Sequence, residues 1–402
     1  MNSILPNYDI VICSPVIETG VSIDLKNHFD AVWCIAYGLQ TVDAVCQTVE
    51  RLRDGIPRHI WVKKTAKNNR IGNGSVSIKS LLRSQHQNTK NNISLLQQAG
   101  IDEFDELEVN FSTESLTTWA KRACIVNTGK NNYRASIITK LLASGYELDL
   151  PSQNDLKEAK GVHDILTKTR DENYHTYCQA ISEADTPTTS ELDALSNKKA
   201  KSQEERYKER KGTLYKRYGI EVSAELVKKD DRGWYPQLQL QYYLTVGNKY
   251  LAQRDRQSLS QIKEQGSGKA FKPDISKKQL SVKIETLKII NIKQFFDRNA
   301  EFTKNSLDDW FNSTILPFRF DIKDILGVNI NPDKDSAIAV AQRILKKLGL
   351  KLEFKCWRGD RSSKQRVYSG CNIEPDERNR VFDHWLARES KVYNHNTVLT
   401  FL

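Results

Sequence analysis

The chain has 402 residues, with 61 Lys and Arg against 50 Asp and Glu, a formal net charge of +11 and a pI near 9.1. Hydrophobic residues make up 39% and charged residues 28%, and no apolar run reaches the ~20 residues of a membrane span. These numbers exclude a membrane-spanning helical protein and a disordered polyelectrolyte, and leave a charge-rich globular chain long enough for two to four domains.

The opening residues run directly into an apolar stretch, with no basic segment and cleavage site of a secretory signal. The seven cysteines (13, 34, 46, 124, 178, 356 and 371) form no CxxC pair and no metal-ligand spacing with the seven histidines. A reducing, cytoplasmic setting follows. The positive balance favours an acidic partner.

In chain order, three β-branched runs come first, at Asp9–Cys13, Phe29–Tyr37 and His59–Val62. Between them lie one turn-rich segment and one helix beginning near Thr41, the alternation of a parallel sheet with crossovers. A polar linker (65–75) follows. Helices are then predicted over Ile78–Ala99, Ser115–Val126, Ala135–Ser144 and Asp155–Glu183 from apolar residues at three- and four-residue spacing. The break at Asp185–Ser190 precedes a charged stretch, Asn197–Arg217, with nine Lys and Arg against three Glu. It reads either as a solvated helix face with i,i+4 pairs or as a phosphate-contacting face. A further helical block spans Glu221–Gln265, and its aromatics at 234, 235, 242, 243 and 250 are expected in a core. The loop Gly266–Asp274 lacks the GxxxxGK[ST] spacing and reads as a linker.

Towards the C-terminus, short helices are predicted at Ser306–Ile315 and Phe320–Leu326. A longer one covers Lys334–Leu348, capped by an Asp or Ser. Two strands, LKLEFKCW and QRVYSGC, flank the basic turn RGDRSSK, and a last amphipathic helix covers Asp376–Arg388. From Val340 to Gly370 there are nine Lys and Arg against two acidic residues. Helices followed by a two-stranded ribbon with a basic tip is the winged-helix order. Arg358, Arg361, Lys364 and Arg366 are the candidate DNA contacts. The competing reading is a helix–hairpin module that docks on the rest of the chain.

Chemistry-bearing residues cluster past the ends of the first strands, where open parallel sheets hold ligands. In SPVIETGVSID, Gly20 permits a close backbone approach, and the hydroxyls of Ser14, Thr19 and Ser22 suit phosphate oxygens. In QTVERLR, Gln47 and Arg51 are four apart on one helix face. Arg53 joins them if the helix ends near Asp54–Gly55–Ile56–Pro57. Arginine donors in that place suit a nucleotide's phosphates. Ordinary surface pairing with Glu50 or Asp54 is the plain alternative.

The succession of strand, SPVIETGVSID, strand, helix, QxxxRxR and strand resembles the second motor domain of superfamily 2 helicases, with the first segment as motif V and QTVERLR as motif VI. The two-residue gap between Arg51 and Arg53 looks more like the herpesvirus-type origin-binding helicases. ETGVSID, FDAVW and VCQTVERLR are also similar to the helicase part of cyanobacterial plasmid replication proteins. The resemblance covers residues 8–64. It implies a partial RecA-like α/β domain (1–70), followed by a helical domain (76–185), a basic helical region with linker (186–275) and a helical, winged-helix-like α+β module (276–402).

The resemblance also implies roles. Gly20 and Ser22 would face nucleotide, and Ser14 and Thr19 nucleic acid. Gln47 would orient the nucleotide or water, and Arg51 and Arg53 would be arginine fingers. The chain carries neither a phosphate loop nor an acidic Mg²⁺-binding box. ATP and Mg would therefore bind only in a complete motor, beside an N-terminal helicase portion that brings the phosphate loop. The expected function is the C-terminal part of a plasmid replication helicase that binds DNA and is inactive as an ATPase alone. The alternatives are a non-catalytic DNA- or RNA-binding module with a vestigial motor remnant, and a protein-binding scaffold. Residues 1–64 are expected to expose an unpaired sheet edge.

Overall fold

The computed structural model describes residues 2–14, 22–101, 113–150, 153–265, 279–360, 364–371 and 377–396. It is mostly helical, with one small parallel and one small antiparallel sheet. Its compact units comprise residues 1–88 with 110–152, and 89–109 with 153–402.

In the first unit, strand β1 (Val32–Ala36) leads through helix α1 (Val42–Val49) to strand β2 (Arg58–Val62). The strands are parallel, with Val32 opposite Arg58 and Ala36 opposite Val62. Thr41 starts α1 as predicted, its side chain accepting from Ala44 N at 3.2 Å. Helix α2 (Ile78–Gln98) follows, its residues up to 88 in this unit and the rest in the second, and then α3 (Thr113–Asn131) and α4 (Tyr133–Ala143). Ala36 and Val62 pack with Val45 and Cys46 of α1 and with Tyr133, Ile137 and Leu141 of α4. Burial pushes the Tyr133 hydroxyl up to about 12. Lys130 is also buried, and its Nζ donates to the carbonyls of Gly38, Leu39 and Asn68, each at 3.1 Å. Burial and the nearby Arg70 lower its pKa. Gly38 has φ +94°, and a Cβ there would meet Ala66 Cβ at 2.6 Å, so glycine is required.

The opposite sheet face is exposed among the described residues. Trp33, Ile35 and Trp61 are exposed, Trp33 stacks on His59 at 4.1 Å, and Tyr37 stacks on Trp61 at 5.5 Å. A parallel sheet is normally covered on both faces. The predicted strand at Asp9–Cys13 is absent: these residues join no ladder, with Ile10 80% and Ile12 94% exposed. A β-rich sequence forms a strand only where a neighbour's backbone groups are there to pair with it.

The second unit is larger and better filled. Helix α5 (Gln153–Glu183) follows its predicted block, and α6 (Thr189–Asn197), which was not foreseen, starts at the end of the expected break. Helices α7 (Gln203–Tyr218), α8 (Ala224–Asp231), α9 (Trp234–Leu244) and α10 (Leu251–Gln265) fall in the charged stretch and the helical block after it. Thr188 and Ser202 each close a capping box, with Glu191 and Glu205 respectively. Helix α11 (Leu280–Ile289) comes next. Strand β3 (Glu301–Phe302), π-helical turns at Trp310–Ile315 and Ile322–Leu326, and the short helix α12 (Arg319–Asp321) complete the middle. Helix α13 (Ala337–Leu345) is capped by Ser336, which accepts from Ala339 N at 3.3 Å. Strands β4 (Glu353–Arg358) and β5 (Gln365–Ser369) and helix α14 (Arg378–Asn396) end the description. The antiparallel sheet has the order β3-β5-β4; β3 was not foreseen, being two residues long.

The core joins Trp234, Leu238 and Tyr242 of α9 with Ile284, Ile344, Val381, Phe382 and Trp385. The aromatics at 234, 242, 243 and 250 are buried, as expected, and Tyr235 packs against them. The buried Glu389 accepts from Tyr242 Oη at 2.8 Å and from Tyr243 Oη. Burial first, and then this carboxylate, raise both tyrosine pKa values.

The charged stretch of α7 turns inwards. Asp230, its side chain 5% exposed, receives Arg210 Nη2 at 2.8 Å, Arg217 Nη1 at 2.5 Å and Tyr218 Oη at 2.6 Å. Lys201 pairs with Glu209 at 2.7 Å, Lys198 with Glu205 at 2.5 Å and Lys208 with Glu191 at 3.4 Å. Lys211 donates to the carbonyls of Ser182 and Ala184. Most of the cations of this stretch are thus paired within the fold, as the paired reading expects.

Candidate functional site

Helix α1 ends at Val49, earlier than the sequence suggests, because Arg58 draws the following carbonyls into a tight loop. Its guanidinium donates to Val49 O at 3.2 Å, Ile56 O at 2.8 Å, Leu52 O at 2.7 Å and Asp54 O at 3.0 Å. Gln47 and Arg51 thus do not share a helix face. Gln47 is exposed on α1, while Arg51 and Arg53 ride on the loop beyond it.

That loop meets the end of the other predicted segment. Ile23 forms an isolated parallel bridge with Leu52: Ile23 N donates to Arg51 O at 2.9 Å, and Arg53 N donates to Ile23 O at 3.0 Å. The bridge holds Ser22–Ile23–Asp24 beside Arg51–Leu52–Arg53. Ser22 Oγ donates to Asp24 Oδ1 at 2.9 Å, and the same oxygen lies 3.8 Å from Arg53 Nε. Arg53 therefore pairs with Asp24, rather than with Glu50 or Asp54. The partners are 71% and 55% exposed, and a pair so open to water is worth only about 0–1 kcal/mol. An arriving phosphate can displace it. Lys26 Nζ also donates to Arg53 O, and Asp54 accepts from Asn27 N at 2.8 Å. Thr19 and Gly20 lie outside the described residues; Ser14 is described and exposed.

Sequence reasoning missed Asp24 and Arg58. Asp24 stands two residues beyond Ser22 in the same quoted segment. Arg58 opens β2, where an arginine looks like a strand-edge residue until the loop carbonyls are seen to converge on it.

The second candidate region is the β4–β5 hairpin. Arg358 is drawn into an ion pair with Glu301 of β3, which also takes Lys355 Nζ at 2.7 Å. Hydrogen bonds from Lys355 and then Arg358 hold the Glu301 carboxyl below its usual range. Lys364 and Arg366 point the other way. Lys364 Nζ and Arg366 Cζ each lie 5.0 Å from the centre of the Trp357 ring. Arg361 is outside the described residues, as is the loop Gly266–Asp274. The four predicted hairpin cations are thus divided: one neutralised, two on an aromatic ring, one undescribed. Among the described residues no group of three metal-ligating side chains is found, and no helix is long and apolar enough to cross a membrane.

Against this geometry stand the comparisons. The chain is 43% identical over 391 residues to an uncharacterized protein of Picosynechococcus sp., an alignment covering 97% of this chain and 38% of that relative. The chain thus spans little more than a third of the length of the curated relative it matches. No family model and no solved structure matches.

Proposed function

We propose that this chain is the C-terminal part of a plasmid replication helicase of the origin-binding type. Its parallel strands belong to a RecA-like motor domain, and its antiparallel hairpin with α13 is a winged-helix-like DNA-binding module. One observation carries the reading. The Ile23–Leu52 bridge brings the end of SPVIETGVSID against RLR, so that residues 29 positions apart in the chain set Ser22 beside Arg51 and Arg53. The donors Gln47, Arg51 and Arg53 suit phosphate oxygens and the charge that develops in phosphoryl transfer. The phosphate loop and the Mg²⁺ carboxylates come from a further portion of the motor. The exposed sheet face and the greater length of the relative support such a portion.

The test is ATP hydrolysis by the chain alone and after mixing with the part of the longer relative that the alignment leaves uncovered. Turnover is expected only in the mixture, and Arg51→Ala should lower it by about 10³-fold, the usual scale of an arginine finger. Turnover that ignores Arg51→Ala would overturn the assignment.

The Asp24–Arg53 pair supports a second reading, in which the motor remnant is structural and the chain is a non-catalytic DNA- or RNA-binding module. Nucleic-acid affinity that falls steeply with salt and is indifferent to ATP in the mixture favours that module.

A further inference from the structure

The β4–β5 hairpin has two unlike faces. Val367 is fully buried on the inner one, where Glu301 of β3 takes Lys355 and Arg358. On the outer one the register sets Trp357 opposite Arg366 and Phe354 opposite Tyr368; Tyr368 lies beside the buried Phe302 of β3 and packs on the core, so the open part of this face is at Phe354 and Trp357. The rings touch in sequence, Trp357 to Phe354 at 5.9 Å between centroids and Phe354 to Tyr368 at 6.3 Å. Phe354 is 52% and Trp357 48% exposed. Two large aromatics on a strand flanked by lysines and arginines thus leave about half of their apolar area in water.

Their surroundings identify what would cover them. Lys364 and Arg366 sit within 5.0 Å of the Trp357 centroid, and Glu301 is occupied on the other face, so the outer face is aromatic and cationic. A polyanion that also offers flat rings matches both features. In a duplex the ring faces of the bases are stacked against one another, and only their edges reach the grooves. Ring faces become available when the strands are apart. We propose that the outer face of this hairpin stacks unpaired bases of single-stranded nucleic acid, with Trp357 and Phe354 as the platform and Lys364 and Arg366 on the adjoining phosphates. The proposal rests on the nucleic-acid reading of the hairpin given above and narrows it from duplex contact to base stacking.

The experiment measures affinity of the full chain for a fluorescent single-stranded oligothymidylate and for a duplex of equal length, across a salt series. The Trp357→Ala, Phe354→Ala double variant should lose about tenfold or more on the single strand and at most about twofold on the duplex, with an unchanged salt slope. Trp357→Phe, which keeps a ring, should restore most of the single-strand affinity and guards against a folding defect. Lys364→Ala with Arg366→Ala should weaken both ligands and flatten the salt slope by about two. Equal loss on both ligands, or none, in the aromatic variant overturns stacking while leaving the nucleic-acid reading intact. Wild-type protein that binds neither ligand overturns both. Binding of an acidic, tyrosine-rich peptide in preference to the oligonucleotide would assign the face to a protein partner and overturn the proposal.

Discussion

Helix α7 and the β4–β5 hairpin are basic to a similar degree, nine Lys and Arg against three Glu in the run that contains α7 and nine against two in the run that contains the hairpin. In the run around α7 seven of the nine cations meet carboxylates or carbonyls of the same unit, and two of them close on the buried Asp230. In the hairpin one acidic residue takes two cations, and the next two lie over an exposed indole. A helix inside a bundle has acidic neighbours on several sides. A ribbon at the edge of a three-stranded sheet has few. Charge density along a chain therefore says little about charge density in space, and the count of local counter-ions decides which run can meet a polyanion.

The sharpest break of this comparison is Asp230→Ala. It takes the carboxylate from Arg217 and leaves Arg210 with Asp231 alone, and loss of one partner from such a partly buried network costs about 3–5 kcal/mol. A fall of roughly 10 °C in the melting temperature is expected by calorimetry. The same site gives a pH dependence. Burial raises the Asp230 pKa, but Tyr218, Arg217 and Arg210 more than offset it, and the net shift is downwards. Its folded value lies below its unfolded one, so this stabilisation is complete at neutral pH. It is lost as the pH falls below the ordinary carboxylate range. Asp230→Asn should flatten that acid limb of the stability curve.

A middle-sized effect is expected from Glu301→Gln. It releases Lys355 and Arg358 on the hairpin, so single-strand affinity should rise severalfold at low salt and the salt slope should steepen by about one to two. The smallest effect is expected on the other side of the comparison. Lys198→Ala with Lys208→Ala removes two pairs of α7 that are largely open to solvent. Stability should change by no more than about 1 kcal/mol, and nucleic-acid affinity should stay within about twofold.

Much of the helical architecture was legible in the sequence because it is written in local chemistry. Thr41 and Ser336 announce helix starts within a few residues of where they occur; the caps Thr188 and Ser202 carry the same chemistry but were passed over. The aromatic stripe from Trp234 to Tyr250 declares a core by its spacing. What escaped depends on distant partners. Asp9–Cys13 has the composition of a strand but no ladder beside it. The end of α1 is set by Arg58, nine residues further on. The fate of α7 is set by Asp230 and Asp231 of α8. Trp357 was passed over because a lone tryptophan in a strand signals nothing until Arg366, Phe354 and Tyr368 are placed around it. The meeting of Ser22 with Arg53 was visible only as two separate motifs, and its geometry needed the Ile23–Leu52 bridge.

The way the second unit is cut in two along the chain has a consequence for synthesis. Leu95, Leu96 and Ile101 are buried in a core whose remaining members begin at Cys178 and extend to Trp385. The residues of the first unit have all left the ribosome once Ser152 is out, while those three side chains still wait. At the usual pace of about 5–20 residues per second, the stretch between Ile101 and Cys178, the first of their companions, takes roughly 4–15 s to make. For that time a short apolar triplet travels with the nascent chain, and a chaperone that shields it would act on this protein before its larger half exists.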